Sequence, residues 1–237
     1  MRCNLCATLS FIVAGMVPAA ALNPIHEASY NLLPRGKFAS SGVVSIAGIL
    51  DSRSDDLFQI PFSLSLEASP RVELGGGIKT QWGDASDDHV PYLVFGAKYM
   101  LDGATTLQGD LLLGANISAG KGFSIGVHHR QGHAQRLYSR FTGRLGFMEA
   151  LVQEDALLAM EGAWYPTFVI VRPLSLEFGL IASSQTTRFN DYFALDFQPA
   201  LQVHIGRESL VETAVAIGLA GEQREDLRVK VAVVYGF

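Results

Sequence analysis

The chain has 237 residues and a formal charge of −5, with 49% hydrophobic but only 17% charged residues. That acidic balance gives no electrostatic basis for nucleic-acid binding. Beyond the first two dozen positions no apolar run reaches the roughly eighteen residues of a membrane-spanning helix, which argues against a helical membrane protein.

The N-terminus reads as a targeting segment. Arg2 supplies a positive start, Leu5 to Val17 an apolar core, and Ala19-Ala20-Ala21 a small-residue cleavage site. We expect residues 1–21 to be a signal peptide removed after Ala21. The apolar core is too short for a membrane anchor. Both cysteines, Cys3 and Cys6, fall in the removed part, and neither follows the apolar core as a lipoprotein cysteine would. The expected mature chain is therefore exported without a disulfide. Residues 22–37 lack periodicity, hold two prolines and read as a periplasmic lead-in.

From residue 38 to residue 237 the chain alternates apolar and polar side chains in twelve segments separated by turn residues, the pattern of strands with two different faces. The first, Phe38 to Leu50, is the least regular. Leu57 to Ala68 sets Phe58, Ile60, Phe62, Leu64 and Leu66 against Gln59, Ser63, Ser65 and Glu67. Arg71 to Trp82, Val90 to Leu101, Thr106 to Ser118 and Phe123 to Arg130 follow. Gln135 to Phe147 places Leu137, Phe141, Leu145 and Phe147 opposite Arg136, Tyr138, Arg140, Thr142 and Arg144. Ala156 to Tyr165 is ambiguous, with Leu158, Met160, Gly162 and Trp164 on one face and Glu161 on the other. The apolar, proline-flanked stretch Pro166 to Pro173 fits no element. Leu174 to Ser183, Tyr192 to Ile205 and Ser209 to Ala220 are clean.

The connections also alternate. Those after odd strands are mostly longer and more acidic (51–56, 83–89, 149–155, 184–191, 221–226). Most of those after even strands are tight, as at Ser69-Pro70, Asp102-Gly103, Gln131 to His133 and Gly206 to Glu208. Aromatic residues gather at strand ends in two expected girdles. Phe58, Trp82, Tyr92, Phe123, Phe147 and Phe193 form the outer one. Phe38, Tyr99, Trp164, Tyr165, Tyr235 and Phe237 form the inner one.

The last segment, Leu227 to Phe237, carries the pattern most clearly. Leu227, Val229, Val231, Val233, Tyr235 and Phe237 share one face, and Arg228 and Lys230 lie on the other. A soluble edge strand of this kind would invite aggregation, whereas a strand between lipid and a polar interior requires it. The segment resembles the C-terminal signal strand of Gram-negative outer-membrane β-barrel proteins, with Phe237 as terminal aromatic and Tyr235, Val233 and Val231 at alternate positions before it. The resemblance implies an all-β, single antiparallel up-and-down transmembrane barrel of about twelve strands in the cell outer membrane. It also implies membrane lipid and lipopolysaccharide as surroundings and the barrel-assembly machinery as a partner during insertion, with Tyr235 and Phe237 as the assembly signal.

With apolar faces toward lipid, the charged side chains line the interior. Glu73, Lys79, Lys98 and Asp110 come from the third to fifth strands, and Arg130, Arg136, Arg140 and Arg144 from the sixth and seventh. Glu161, Glu177, Asp196 and Glu212 come from the eighth to eleventh, and Arg228 and Lys230 from the twelfth. Such groups need pairing or water. They brace the lumen, or they set a transverse field in a narrow channel for small polar solutes. A non-conducting structural barrel is the alternative, and an outer-membrane lipid-modifying enzyme or protease a second. No catalytic residues, cofactor or metal site are assigned: His128-His129-Arg130 lacks a serine two residues on, and the histidines lack metal-ligand spacing. A soluble exported sandwich or lipocalin-like barrel would share the alternation with its faces reversed.

Overall fold

The protein is described by a computed structural model covering residues 42–51, 57–83, 86–114, 121–150, 155–186, 191–205, 209–221 and 227–237. The expected signal peptide and lead-in lie outside these residues, as do Phe38 and the other residues before Gly42.

The described residues form twelve strands. They are β1 (Gly42–Asp51), β2 (Leu57–Ser69), β3 (Val72–Gly83), β4 (Ser86–Met100), β5 (Thr105–Gly114) and β6 (Lys121–Ala134), followed by β7 (Leu137–Ala150), β8 (Asp155–Val171), β9 (Leu174–Thr186), β10 (Asp191–His204), β11 (Ser209–Gly221) and β12 (Leu227–Gly236). Each strand pairs antiparallel with its sequence neighbours, and β1 pairs with β12, so the sheet closes into one barrel. The shortest strands have 10 residues and the longest 17, long enough to cross a hydrocarbon layer at a tilt.

Alternation decides which face is which. In β4, Phe95 is 51% exposed whereas Lys98 is 1% exposed. The same inversion runs around the wall, with Phe62, Leu74, Ile125, Met160 and Val233 outside and Gln59, Asp110, Glu161 and Glu212 inside. A soluble barrel has the opposite polarity. The expected orientation of the faces therefore holds, and the soluble alternative does not.

Several boundaries differ from the sequence expectation. The eighth strand continues through Pro166 to Val171, so the apolar stretch that fitted no element is wall. Pro166 sits opposite Ser139, and the chain turns at Arg172-Pro173. Residues 131–134 belong to β6 rather than to a turn, which moves the β6–β7 turn to Gln135-Arg136. β4 starts at Ser86, inside the expected acidic loop, and β9 and β10 extend into the loop expected at 184–191. The β4–β5 turn is secured by Asp102, whose Oδ1 accepts hydrogen bonds from the backbone N–H of Ala104 and Thr105, both at 2.7 Å. Those two donors hold its carboxyl below the usual aspartate range.

The seam between the first and last strands is complete. Its register runs from Val43↔Gly236 to Asp51↔Arg228. Below it, Gly42 and Phe237 exchange backbone hydrogen bonds of 3.0 and 2.9 Å. The Phe237 ring lies over Gly42: a Cβ there would be 2.5 Å from the ring's Cζ. Tyr235 stacks on Phe237 with ring centroids 6.4 Å apart.

Gly42→Leu should therefore push the ring away and cost about 1–3 kcal/mol. Phe237→Ala should absorb much of that cost in the double variant. Urea unfolding of the refolded barrel, followed by its heat-dependent gel shift, measures both; additive effects would contradict the contact.

Candidate functional site: the barrel interior

Interior positions follow from strand parity, and the partners follow from register. Glu73 of β3 and Lys98 of β4 are directly opposite each other, and their side chains meet at 2.7 Å. Lys230 of β12 reaches Glu212 of β11 at 2.9 Å, and the Gln202 amide of β10 donates to the other Glu212 oxygen at 2.9 Å. Asp110 accepts hydrogen bonds from Gln108 Nε2 and Ser124 Oγ, at 2.8 and 3.3 Å. Arg144 lies opposite Glu161 in the β7–β8 register.

Other long side chains pass over a neighbouring strand. Arg140 of β7 crosses β8 to pair with Glu177 of β9 at 3.1 Å. On the way its guanidinium stacks 4.1 Å above the Tyr165 ring, and Thr167 of β8 donates to the second Glu177 oxygen at 3.0 Å. Arg228 of β12 crosses β11, where its register partner is Ala216, and donates to Gln198 of β10 at 3.0 Å. These crossings depend on small residues beneath them. A Cβ on Gly179 would meet the Tyr165 ring at 2.8 Å, and one on Gly126 would meet the Arg144 side chain at 3.2 Å. The structure thus lays charged groups along the wall, neutralising one another around the circumference.

Most expected interior residues are placed where the alternation put them. Glu73, Lys98 and Asp110 face inward, as do Arg140 and Arg144. Glu161, Glu177, Asp196 and Glu212 do so on β8 to β11, and Arg228 and Lys230 on β12. Arg130 is half-buried, with its guanidinium 4.1 Å above the Tyr138 ring. Lys79 faces Pro61 and Tyr92 in register, but its side chain lies outside what is described. Arg136 is a correction. It sits in the exposed β6–β7 turn, because β6 runs four residues further than expected and carries that turn with it. Tyr165 is a second correction. It is 4% exposed and points inward, since its neighbour Trp164 points outward and adjacent strand residues cannot share a face. Tyr99, Trp164, Tyr235 and Phe237 do face outward, as do Phe58, Phe123 and Phe193 near the opposite rim.

A serine and a histidine do meet on the outer face. His133 Nε2 is 2.9 Å from Ser139 Oγ. Ser139 is only 2% exposed, so the contact is a packed hydrogen bond near the β6–β7 turn rather than an accessible nucleophile. His129 contacts Thr105 Oγ1 at 3.0 Å.

The KdgM porin matches over 82% of this chain and 99% of its own, with a TM-score of 0.57 and 11% identity. An outer membrane channel from Pseudomonas putida F1 matches over 86% and 97%, with a TM-score of 0.55 and 14% identity. The chain has the fold of the outer-membrane porin barrels. That fold is not confined to channels: the β domain of the Bordetella autotransporter BrkA matches over 84% of this chain and 99% of its own, with a TM-score of 0.56 and 9% identity. No family model matches the sequence, and neither does any curated protein.

The Glu73–Lys98 pair gives a test of the interior. Lys98→Met strands Glu73 and should cost about 3 kcal/mol or more, whereas the double variant Lys98→Met/Glu73→Leu should recover most of it. Urea midpoints of the refolded barrels report this. Equal losses in the single and double variants would show that the pair is not what holds this part of the wall.

Proposed function

We propose that the chain is an outer-membrane barrel acting as a narrow passive channel for small polar solutes. The observation that carries this reading is the inverted surface: a continuous apolar exterior around an interior of charged, amide and hydroxyl groups. A water-filled path for polar solutes requires an inner face of this kind. Twelve strands lie between the eight that side chains just fill and the sixteen that leave a wide channel, which suits a small pore. Its fold likeness to channels supports the reading.

In this reading residues 1–21 direct export, and Tyr235 and Phe237 serve the assembly machinery as the terminal signal. Lipid and lipopolysaccharide surround the wall. The selectivity-setting groups are the inward acids and bases, in particular Arg140, Arg144, Glu161, Glu177, Arg228 and Lys230. Because these groups of opposite sign nearly balance and are set against one another, ion preference is weak.

Planar-bilayer recording of the purified protein should show discrete conductance steps with a cation-to-anion permeability ratio near one. Arg140→Ala should move that ratio toward cations and Glu177→Ala toward anions, each by about twofold to threefold at low salt, where screening is least. A folded, membrane-inserted barrel that gives no steps would instead support the structural-barrel alternative.

A further inference from the structure

The outer face of the wall is not smooth. Gly143 of β7 and Gly162 of β8 are direct register partners, and Gly162 lies opposite Ala182 of β9. All three face outward, so three adjacent strands present almost no side chain there. A groove of about 770 Å³ lies over this strip, within the size range of ligand-holding clefts, and its lining is mostly apolar. Ile125, Leu145 and Met160, register partners of one another, form the wall on one side. The next outward row on the other side is Phe141, Trp164 and Leu180, with the Phe141 and Trp164 rings stacked 6.4 Å apart. On each strand these two rows are four residues apart, about 13 Å.

The chain's own geometry does not require the two glycines. Neither has a positive φ. A Cβ on Gly162 would meet nothing within 4 Å, and one on Gly143 would only touch Val127 Cγ1 at 3.5 Å. Glycine inside a strand weakens it, and where neither a turn nor packing calls for one it marks a close approach from outside the strand. The groove also has an open end. The Ile125–Leu145–Met160 row continues as Ser184 on β9 and Phe193 on β10. A small hydroxyl residue therefore notches the wall, two residues from the end of β9. That end is the rim opposite Gly42 and Phe237, beside Phe193 of the outer girdle.

We propose that this groove binds one acyl chain of an outer-leaflet lipid, which enters at the Ser184 notch and lies over Ala182, Gly162 and Gly143. The inference rests on the lipid-facing exterior and is independent of conduction. The groove is continuous with the face that meets hydrocarbon, so an acyl chain reaches it without crossing polar surface. From Val127 to Ala182 it spans three inter-strand steps, about 14 Å, which matches the roughly 15 Å of hydrocarbon in one leaflet. Bare peptide at the glycines lets methylenes make close dispersion contacts. The Ser184 hydroxyl stands where the ester or amide carbonyl of the chain arrives, and can donate to it. A second copy of this chain is a poorer occupant. Copies in one membrane are related by an axis along the membrane normal, so equal heights face each other. The groove runs across strands tilted by about 35–45°, so the grooves of two facing copies cross at roughly a right angle. No ridge of one copy then lies along the groove of the other, and the crossing falls far short of the roughly 1,000 Å² of a specific interface.

The test uses refolded Trp82→Phe protein in polyoxyethylene detergent micelles, titrated with a lysophospholipid brominated along its single chain. Trp164 borders the groove and reports the bromine by quenching. Quenching should saturate at one lysolipid per barrel, and mass spectrometry of the intact complex should show that one lipid. In the same background Gly162→Leu fills open space rather than packed core. It should weaken binding about tenfold, as expected when two methylenes lose their contact. Ala97→Leu, at an exposed outward position on β4 away from the groove, should leave binding unchanged. The heat-dependent gel shift shows that each variant is folded. The proposal is overturned by quenching that rises without saturation, by no quenching, or by equal binding in the Gly162→Leu variant and its parent. A stable dimer that Gly162→Leu dissociates also overturns it and assigns the groove to a second copy.

Discussion

A backbone amide or carbonyl left unpaired in hydrocarbon costs several kilocalories per mole, so a wall of strands survives in a membrane only where its first and last strands meet. Here they meet along an unbroken register from Val43↔Gly236 to Asp51↔Arg228. The chain's final residue adds two more hydrogen bonds and a ring that occupies the space a side chain on Gly42 would need. Every other property of the molecule depends on that seam. It removes the sheet edges, fixes which face is interior, and forces each charged side chain on that face to find a partner inside the barrel.

The partners are found tangentially. Arg140 reaches Glu177 across β8, and Arg228 reaches Gln198 across β11. Such crossings require a low neighbour, and Ala216, Gly126 and Gly179 supply the relief over which Arg228, Arg144 and Tyr165 lie. Glycine and alanine on the interior face are thus the counterpart of the long charged residues.

Much of this was legible in the amino-acid sequence because a strand's period of two is the simplest pattern a chain can carry. The clean segments, Leu227 to Phe237 above all, show the two faces directly, and the terminal aromatic and the unequal connections point the apolar one to lipid. Even the ambiguous eighth segment has Leu158, Met160 and Trp164 outside and Glu161 inside, as alternation suggested. Pro166 hid the rest of β8, since a proline reads as a strand breaker although a wall position opposite Ser139 accommodates it. Arg136 was misplaced because its side depends on where β6 stops, and glycine and histidine in Gln131 to His133 mimic a turn. Tyr165 was assigned to the girdle by residue type, when the outward Trp164 beside it already excluded that. Pairings such as Arg140 with Glu177 could not be read at all. They depend on the register of three strands, which the sequence of any one of them does not contain.

The central claim is that the apolar face meets lipid and the polar face does not. Trp164 lies on the outer face, 42% exposed. In Trp82→Phe protein, where Trp164 is the remaining tryptophan of the two, quenching by lipids brominated along the acyl chain tests the claim directly. The account predicts strong quenching by brominated lipid and little by aqueous acrylamide. Strong acrylamide quenching with no response to brominated lipid would contradict it.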